Sequence, residues 1–274
     1  MRIAVVAPSS RFDDWREVEA KVAAIAAARH PGVEVHFHPQ CGEVDHHFAG
    51  TDDHRAAALI EAANDPAVDA IWFARGGYGS NRIAERALAG FGPAARAKAW
   101  LGYSDAGFLL AGLYRAGYAG LAHGPMPSDV VREGGEAAAA RALDWLVARA
   151  PEALEPGLRQ SERHAAFNIT VLGMLLGTPL EPDLAGHVLL LEEVGEHMYA
   201  VDRALFHITA SPNIRRVAGL RLGRVSNVLP NDPEFGEAAE AVARRWCERA
   251  SIAWLGAADI GHDSHNKVVP FGLL

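Results

Sequence analysis

Short apolar runs alternate with longer amphipathic stretches over the first 120 residues. The runs Ile3–Ala7, Val33–His38, Val68–Ala74 and Ala97–Gly102, with a shorter one at Gly120–His123, have strand length and are bounded by turn residues. Between them, residues 14–29, 52–63 and 80–89 space their apolar positions as helices do, the second opening on the capping aspartates Asp52 and Asp53. Strands alternating with helices predict an α/β fold, a flavodoxin-like or Rossmann-like parallel sheet flanked by helices.

An alanine-rich helix is expected over 133–149, and the proline-containing, charged stretch 150–163 reads as a linker. The expected organisation is an N-terminal domain at 1–149 and a smaller C-terminal α/β domain at 164–274. Within the second, Asn168–Leu176 is an apolar segment ended by Gly177-Thr178-Pro179, and His187–Leu191 is a strand running into Glu192-Glu193. A helix over 198–209, a strand at Val217–Arg224, a long amphipathic helix over 232–250 and a last buried strand at Ile252–Leu255 complete the expectation.

Half of the 274 residues are apolar, enough for a substantial core, and the net charge is -8 with no cluster of Lys and Arg. That balance argues against nucleic acid or an anionic membrane as a partner. No run has membrane-spanning length, and Met1-Arg2 leads straight into a strand rather than a signal peptide. Cys41 and Cys247 stand far apart in no metal-like spacing, so free thiols in the cytoplasm are expected.

Ligands of open α/β sheets bind at the carboxyl ends of the strands. That edge collects Pro8-Ser9, the turn Arg75-Gly76-Gly77-Tyr78-Gly79 and Gly102-Tyr103-Ser104-Asp105. Ser104 sits where a strand turns into a helix, beside the free N–H groups of a first helical turn, which suits a nucleophile. Ser and Asp before an apolar run also suit an ordinary helix cap. The glycines after Arg75 fit either an oxyanion-binding loop or a tight turn. The first strand-to-helix turn, Pro8-Ser9-Ser10, lacks the Gly-x-Gly-x-x-Gly of a dinucleotide site, which excludes a nicotinamide cofactor. Glu192 and Glu193 end a strand; adjacent acids point to opposite faces, so at most one is expected to serve a site. His262 follows a buried strand in Ile260-Gly261-His262-Asp263. His46, His47 and His54 cluster among aspartates in no zinc spacing and read as solvated loop residues.

Taken together, these residues resemble the LD-carboxypeptidase family of serine peptidases, which includes muramoyltetrapeptide carboxypeptidases and microcin-immunity peptidases. The resemblance runs through Ala7-Pro8-Ser9, Ala49-Gly50-Thr51-Asp52, the Arg75–Ser80 turn, Gly102-Tyr103-Ser104-Asp105 and His123-Gly124-Pro125-Met126. It continues through Asn168 with Gly177-Thr178-Pro179, Leu191–Glu196 with Asp202-Arg203, and Gly261-His262 with Pro270-Phe271-Gly272. It implies Ser104 as nucleophile, His262 as general base and acid, Glu192 as the carboxylate orienting it, and an interdomain active site. It also implies an oxyanion hole from the N–H groups of Gly77 and Asp105, no metal or organic cofactor, and a homodimer. The implied reaction removes a C-terminal D-amino acid across an L-D bond, as in murein tetrapeptide. The alternatives are a microcin-immunity-like peptidase acting on a peptide–nucleotide conjugate, a metal-dependent hydrolase and a non-catalytic peptide-binding protein. Arg75 and Arg203, with Tyr78, are candidates for holding the substrate. The sequence departs from the family pattern at Ala166-Phe167, where glycines are usual, at Glu193, where aspartate is common, and in stopping soon after Gly272.

Overall fold

The computed structural model describes residues 1–274. The first half of the chain runs β1 (Arg2–Val6), α1 (Trp15–Arg29), β2 (Glu34–Phe37), α2 (Asp52–Asn64), β3 (Ala70–Phe73), α3 (Ser80–Ala89), β4 (Ala99–Gly102), α4 (Gly107–Arg115), β5 (Leu121–His123) and α5 (Gly135–Ala148). The second runs β6 (Arg163–Asn168), α6 (Ile169–Leu175), β7 (His187–Val194), α7 (Met198–Ala210), β8 (Gly219–Ser226), α8 (Ala239–Ala250), β9 (Trp254–Ala257) and β10 (Val269–Pro270).

Two sheets result, one ordered β10-β5-β4-β3-β1-β2 and one ordered β6-β7-β8-β9. All pairings are parallel except β10 against β5, where Val269 lies opposite His123. The two-residue period of the strands divides the core of the first sheet. Ile3, Val5, Ala70 and Trp72 face a cluster shared with Val18 and Val22 of α1 and Leu143 of α5. Ala4, Val6, Ile71 and Phe73 face the other way, into a cluster shared with Leu59 of α2 and Leu109 of α4. That second cluster continues without a break into Phe167, Leu189 and Leu191 of the second sheet and Leu205 of α7. A common core therefore fixes how the strand ends of the two sheets face each other.

Three expectations are corrected. The helix expected over 232–250 is only α8, Ala239–Ala250. Pro233 lacks the N–H that a helix interior needs, and Gly236 takes φ +80°, so the preceding residues leave the helix. The last strand of the second sheet is Trp254–Ala257 rather than Ile252–Leu255, and it alternates between half-buried and exposed because it is the sheet's edge. Neither β6 nor β10 was expected. β10 returns to the first sheet, so the segment after His262 is tied to the element carrying His123.

Candidate active site

The carboxyl ends of β3, β4, β6 and β7 border a cleft of about 470 Å³, lined among others by Arg75, Gly76, Ser104, Arg132, Asn168 and His262. Ser104 does not cap a helix. It has φ +59°, and a 3-10 turn at Ser104–Ala106 separates it from α4. A left-handed non-glycine residue costs roughly 1–2 kcal/mol, and such strain is commonly held where a side chain must be presented. The presentation depends on Gly76, where an added Cβ would lie 2.8 Å from Ser104 Oγ.

Asp105 laces three sheet-edge turns together. Its buried carboxylate accepts from Ser9 Oγ at 2.5 Å and from the Ser80 N–H at 2.8 Å, while its carbonyl accepts from Ser80 Oγ at 2.5 Å. Burial pushes this carboxyl above its usual value, and the Ser9 and Ser80 donors pull it back.

Across the cleft, His262 Nδ1 lies 2.5 Å from Glu192 Oε2, and Glu192 is fully buried. Burial raises the Glu192 carboxyl, an effect opposed by His262. With Nδ1–H directed at the carboxylate, Nε2 keeps its lone pair. That nitrogen is buried and has no hydrogen-bond partner. The ring thus presents an unused acceptor in the cleft that Ser104 lines.

Glu193 is buried as well, and it serves the same cleft. It accepts from Asn168 Nδ2 at 2.6 Å, from the Thr170 N–H and Oγ1 at 2.8 Å each, and from its neighbour's N–H at 2.9 Å. The expectation that at most one of the two acids serves the site is corrected. The β7–β8 register shifts between Leu191 and Glu193, and the two side chains diverge, one to the histidine and one to the start of α6. Asn168 also caps α6 through the Val171 N–H.

Of the other predicted residues, Arg75 and Gly77 line the cleft. Arg75 donates from Nη1 to the Arg11 carbonyl at 2.6 Å, and its Nε is buried without a partner. Tyr78, half exposed, lines a neighbouring apolar depression with Phe108 and Met174. Arg203 does not line this cleft; it lies over the Tyr199 ring, 5.6 Å from its centroid, and lines a different depression. His47 bonds Ser10 Oγ at 2.9 Å, His54 bonds Glu43 at 2.8 Å, and His46 is exposed. No group of three or more His, Cys, Asp or Glu residues is arranged to hold a metal ion. Cys41 and Cys247 are free and buried.

Sequence reasoning missed Tyr103, Asp129 and Arg132, which surround His262. The spacing of Asp129 and Arg132 is one that any helical turn uses, so no local signal marks them.

Fold and sequence together define a peptidase of the α/β class. Residues 3–124 match the LD-carboxypeptidase N-terminal domain, and residues 165–274 match the LD-carboxypeptidase C-terminal domain. The chain belongs to the LD-carboxypeptidase family. Among its relatives, the murein tetrapeptide carboxypeptidase of Pseudomonas aeruginosa is 26% identical over 99% of this chain and 91% of its own. A protein of Synechocystis sp. is 30% identical over 99% of this chain and 89% of its own. The crystal structure of muramoyltetrapeptide carboxypeptidase from Oxalobacter formigenes superposes with a TM-score of 0.82 at 25% identity, covering 99% of this chain and 93% of that one. The microcin C7 self-immunity protein MccF, in complex with aspartyl sulfamoyl adenosine, shares the fold with a TM-score of 0.80 at 17% identity, covering 99% and 91%.

Proposed function

We propose that this protein is a serine carboxypeptidase that cleaves an L-D peptide bond and releases a C-terminal D-amino acid, with murein tetrapeptide as substrate. The observation that carries the reading is the buried Glu192–His262 pair, which leaves Nε2 unpartnered in the cleft lined by the strained Ser104. A serine hydroxyl needs a base, and the base needs a group that fixes its tautomer.

In this reading Ser104 Oγ attacks the scissile carbonyl while His262 Nε2 takes its proton. The oxyanion that forms is held by the N–H groups of Gly77 and Asp105. The Gly77 N–H donates to no group of the chain, as an oxyanion donor must. Collapse of the tetrahedral intermediate breaks the C–N bond, with His262 returning the proton to the leaving amine. Water, activated by the same histidine, then hydrolyses the acyl-enzyme. Glu192 stabilises the imidazolium at each transfer. Arg75, with an unpaired Nε facing burial, supplies a cation for the substrate's terminal carboxylate. The murein substrate rests on the relatives' names. The same reading makes the protein a cytoplasmic homodimer acting in peptidoglycan recycling, of which sedimentation tests the dimer.

The deciding experiment is D-alanine release from murein tetrapeptide by wild type and Ser104→Ala, each with and without a chelator. Turnover abolished by the substitution and untouched by the chelator supports the reading. Loss of turnover with chelator alone would overturn it in favour of metal-dependent hydrolysis.

A further inference from the structure

Arg132 ties the two sides of the cleft together. It follows a 3-10 turn at Pro127–Val131, and its Nη1 donates to the carbonyl of His262 at 2.8 Å and to Tyr103 Oη at 3.3 Å. The Tyr103 hydroxyl donates in turn to Asp129 Oδ1 at 2.9 Å, and Asp129 Oδ2 accepts from the Met126 N–H at 2.8 Å. Tyr103 and Asp129 are each about 1% exposed. Tyr103 immediately precedes Ser104, and its ring centroid lies 4.7 Å from that of His262. One guanidinium therefore bonds both the residue before the serine and the backbone of the histidine.

The rest of the histidine loop is held by other arginines. Arg224 binds Asp259 at 2.6 Å and Asp263 at 2.9 Å, and Arg141 donates to the carbonyls of Ser264 and Asn266. Those contacts fix the flanks of the loop. Arg132 grips residue 262 itself, from the first half of the chain, where the serine also resides.

We infer that Arg132, anchored by Tyr103 and Asp129, is a positioning residue that aligns His262 with Ser104 across the cleft. The inference rests on reading Ser104 and His262 as nucleophile and base. A planar guanidinium can hold two acceptors in fixed relation, whereas a lysine ammonium is a point charge on a flexible stem. The alignment matters because proton transfer needs the two groups in hydrogen-bond reach, and displacement of a reacting group by about 1 Å can cost about a hundredfold in rate.

The test is the rate at which a fluorophosphonate probe labels Ser104, which reads the serine–histidine pair without a peptide substrate. Arg132→Ala and Tyr103→Phe are each expected to slow labelling by about 10- to 100-fold, with the fold intact by circular dichroism. Because the Tyr103 hydroxyl acts on His262 by way of Arg132, the double variant is expected to label no more slowly than Arg132→Ala alone. Arg132→Lys is expected to be intermediate, and guanidinium added to Arg132→Ala to restore part of the rate. Wild-type labelling by Arg132→Ala, or multiplying effects in the double variant, would overturn the inference. So would a raised KM with unchanged kcat on peptide, since that assigns Arg132 to substrate binding. Should Tyr103→Phe fail to fold, the Arg132 variants and their guanidinium rescue decide. Equal labelling of wild type and Ser104→Ala would instead overturn the reading of Ser104, and the inference with it.

Discussion

Glu192 Oε2 lies 2.5 Å from His262 Nδ1, while the second oxygen of the same fully buried carboxylate has no hydrogen-bond partner at all. The histidine is thus the principal partner of this charge. Glu192→Gln is expected to lower kcat by roughly 10²- to 10⁴-fold, because an amide cannot stabilise the imidazolium or hold the tautomer as a carboxylate does. Stability is expected to hold or rise, since the cost of burying the charge goes with it. Steady-state kinetics beside a urea melt check both; a kcat within tenfold of wild type would count against the role given to Glu192.

The turn at Gly76 has no room for a side chain. Gly76→Ala places a Cβ 2.8 Å from Ser104 Oγ and 2.9 Å from Ser104 Cβ, so the serine must shift. A loss of about a hundredfold in kcat/KM is expected, with a melting temperature within a few degrees of wild type. A variant that keeps full activity would show that the serine's placement tolerates movement.

Glu193 serves four donors, three at the start of α6 and the Val194 N–H at the end of β7. Glu193→Ala leaves buried amide and backbone groups without acceptors and is expected to destabilise the protein by about 2–4 kcal/mol. Equilibrium urea unfolding measures this directly. Loss below about half a kilocalorie per mole would mean that the donors find other partners.

Arg75 lines the cleft and Arg203 does not. Arg75→Ala is therefore expected to raise KM for a peptide with a free carboxyl terminus more than Arg203→Ala does, by roughly tenfold for a lost charged hydrogen bond. The reverse order would move the carboxylate site toward the depression beside α7.

Acid weakens the fold through buried histidines. Burial holds His123, His164 and His187 below the ordinary histidine value, His123 down to about 3 with His262 adding repulsion. Unfolded, each titrates near about 6.5. As pH falls below that value the unfolded chain gains protons that the folded one does not. The stability these histidines contribute is therefore full above about pH 6.5 and is lost progressively as pH falls, for His123 down to about pH 3. For His123 alone the loss is about 1.4 kcal/mol per pH unit, or about 2 kcal/mol between pH 6.5 and 5. Urea melts at pH 7.5 and 5.0 should show a smaller loss for His123→Gln than for wild type. Equal losses would place the titration elsewhere.

Local pattern carried a great deal of this protein. The alternation of strand-length and helix-length apolar periods encodes the first sheet, and with it the edge where Arg75, Gly77 and Ser104 gather. Each strand and helix expresses its own neighbours in sequence, so a reading of neighbours finds it. The resemblance then singled out Glu192 and His262, residues whose spacing alone left them as ordinary strand-end and loop groups.

What sequence could not determine lies in contacts between distant segments. Arg132 and the carbonyl it binds are 130 residues apart, and Tyr103 and Asp129 carry no pattern that would join them. The burial of both Glu192 and Glu193 depended on β7 lying inside its sheet, where every residue from His187 to Glu193 is buried, and the seat of the histidine loop on β10 returning to the first sheet. Periodicity reports which face of an element is apolar. Only the packed structure decides which polar group meets which, because a hydrogen bond is fixed by the position of both partners.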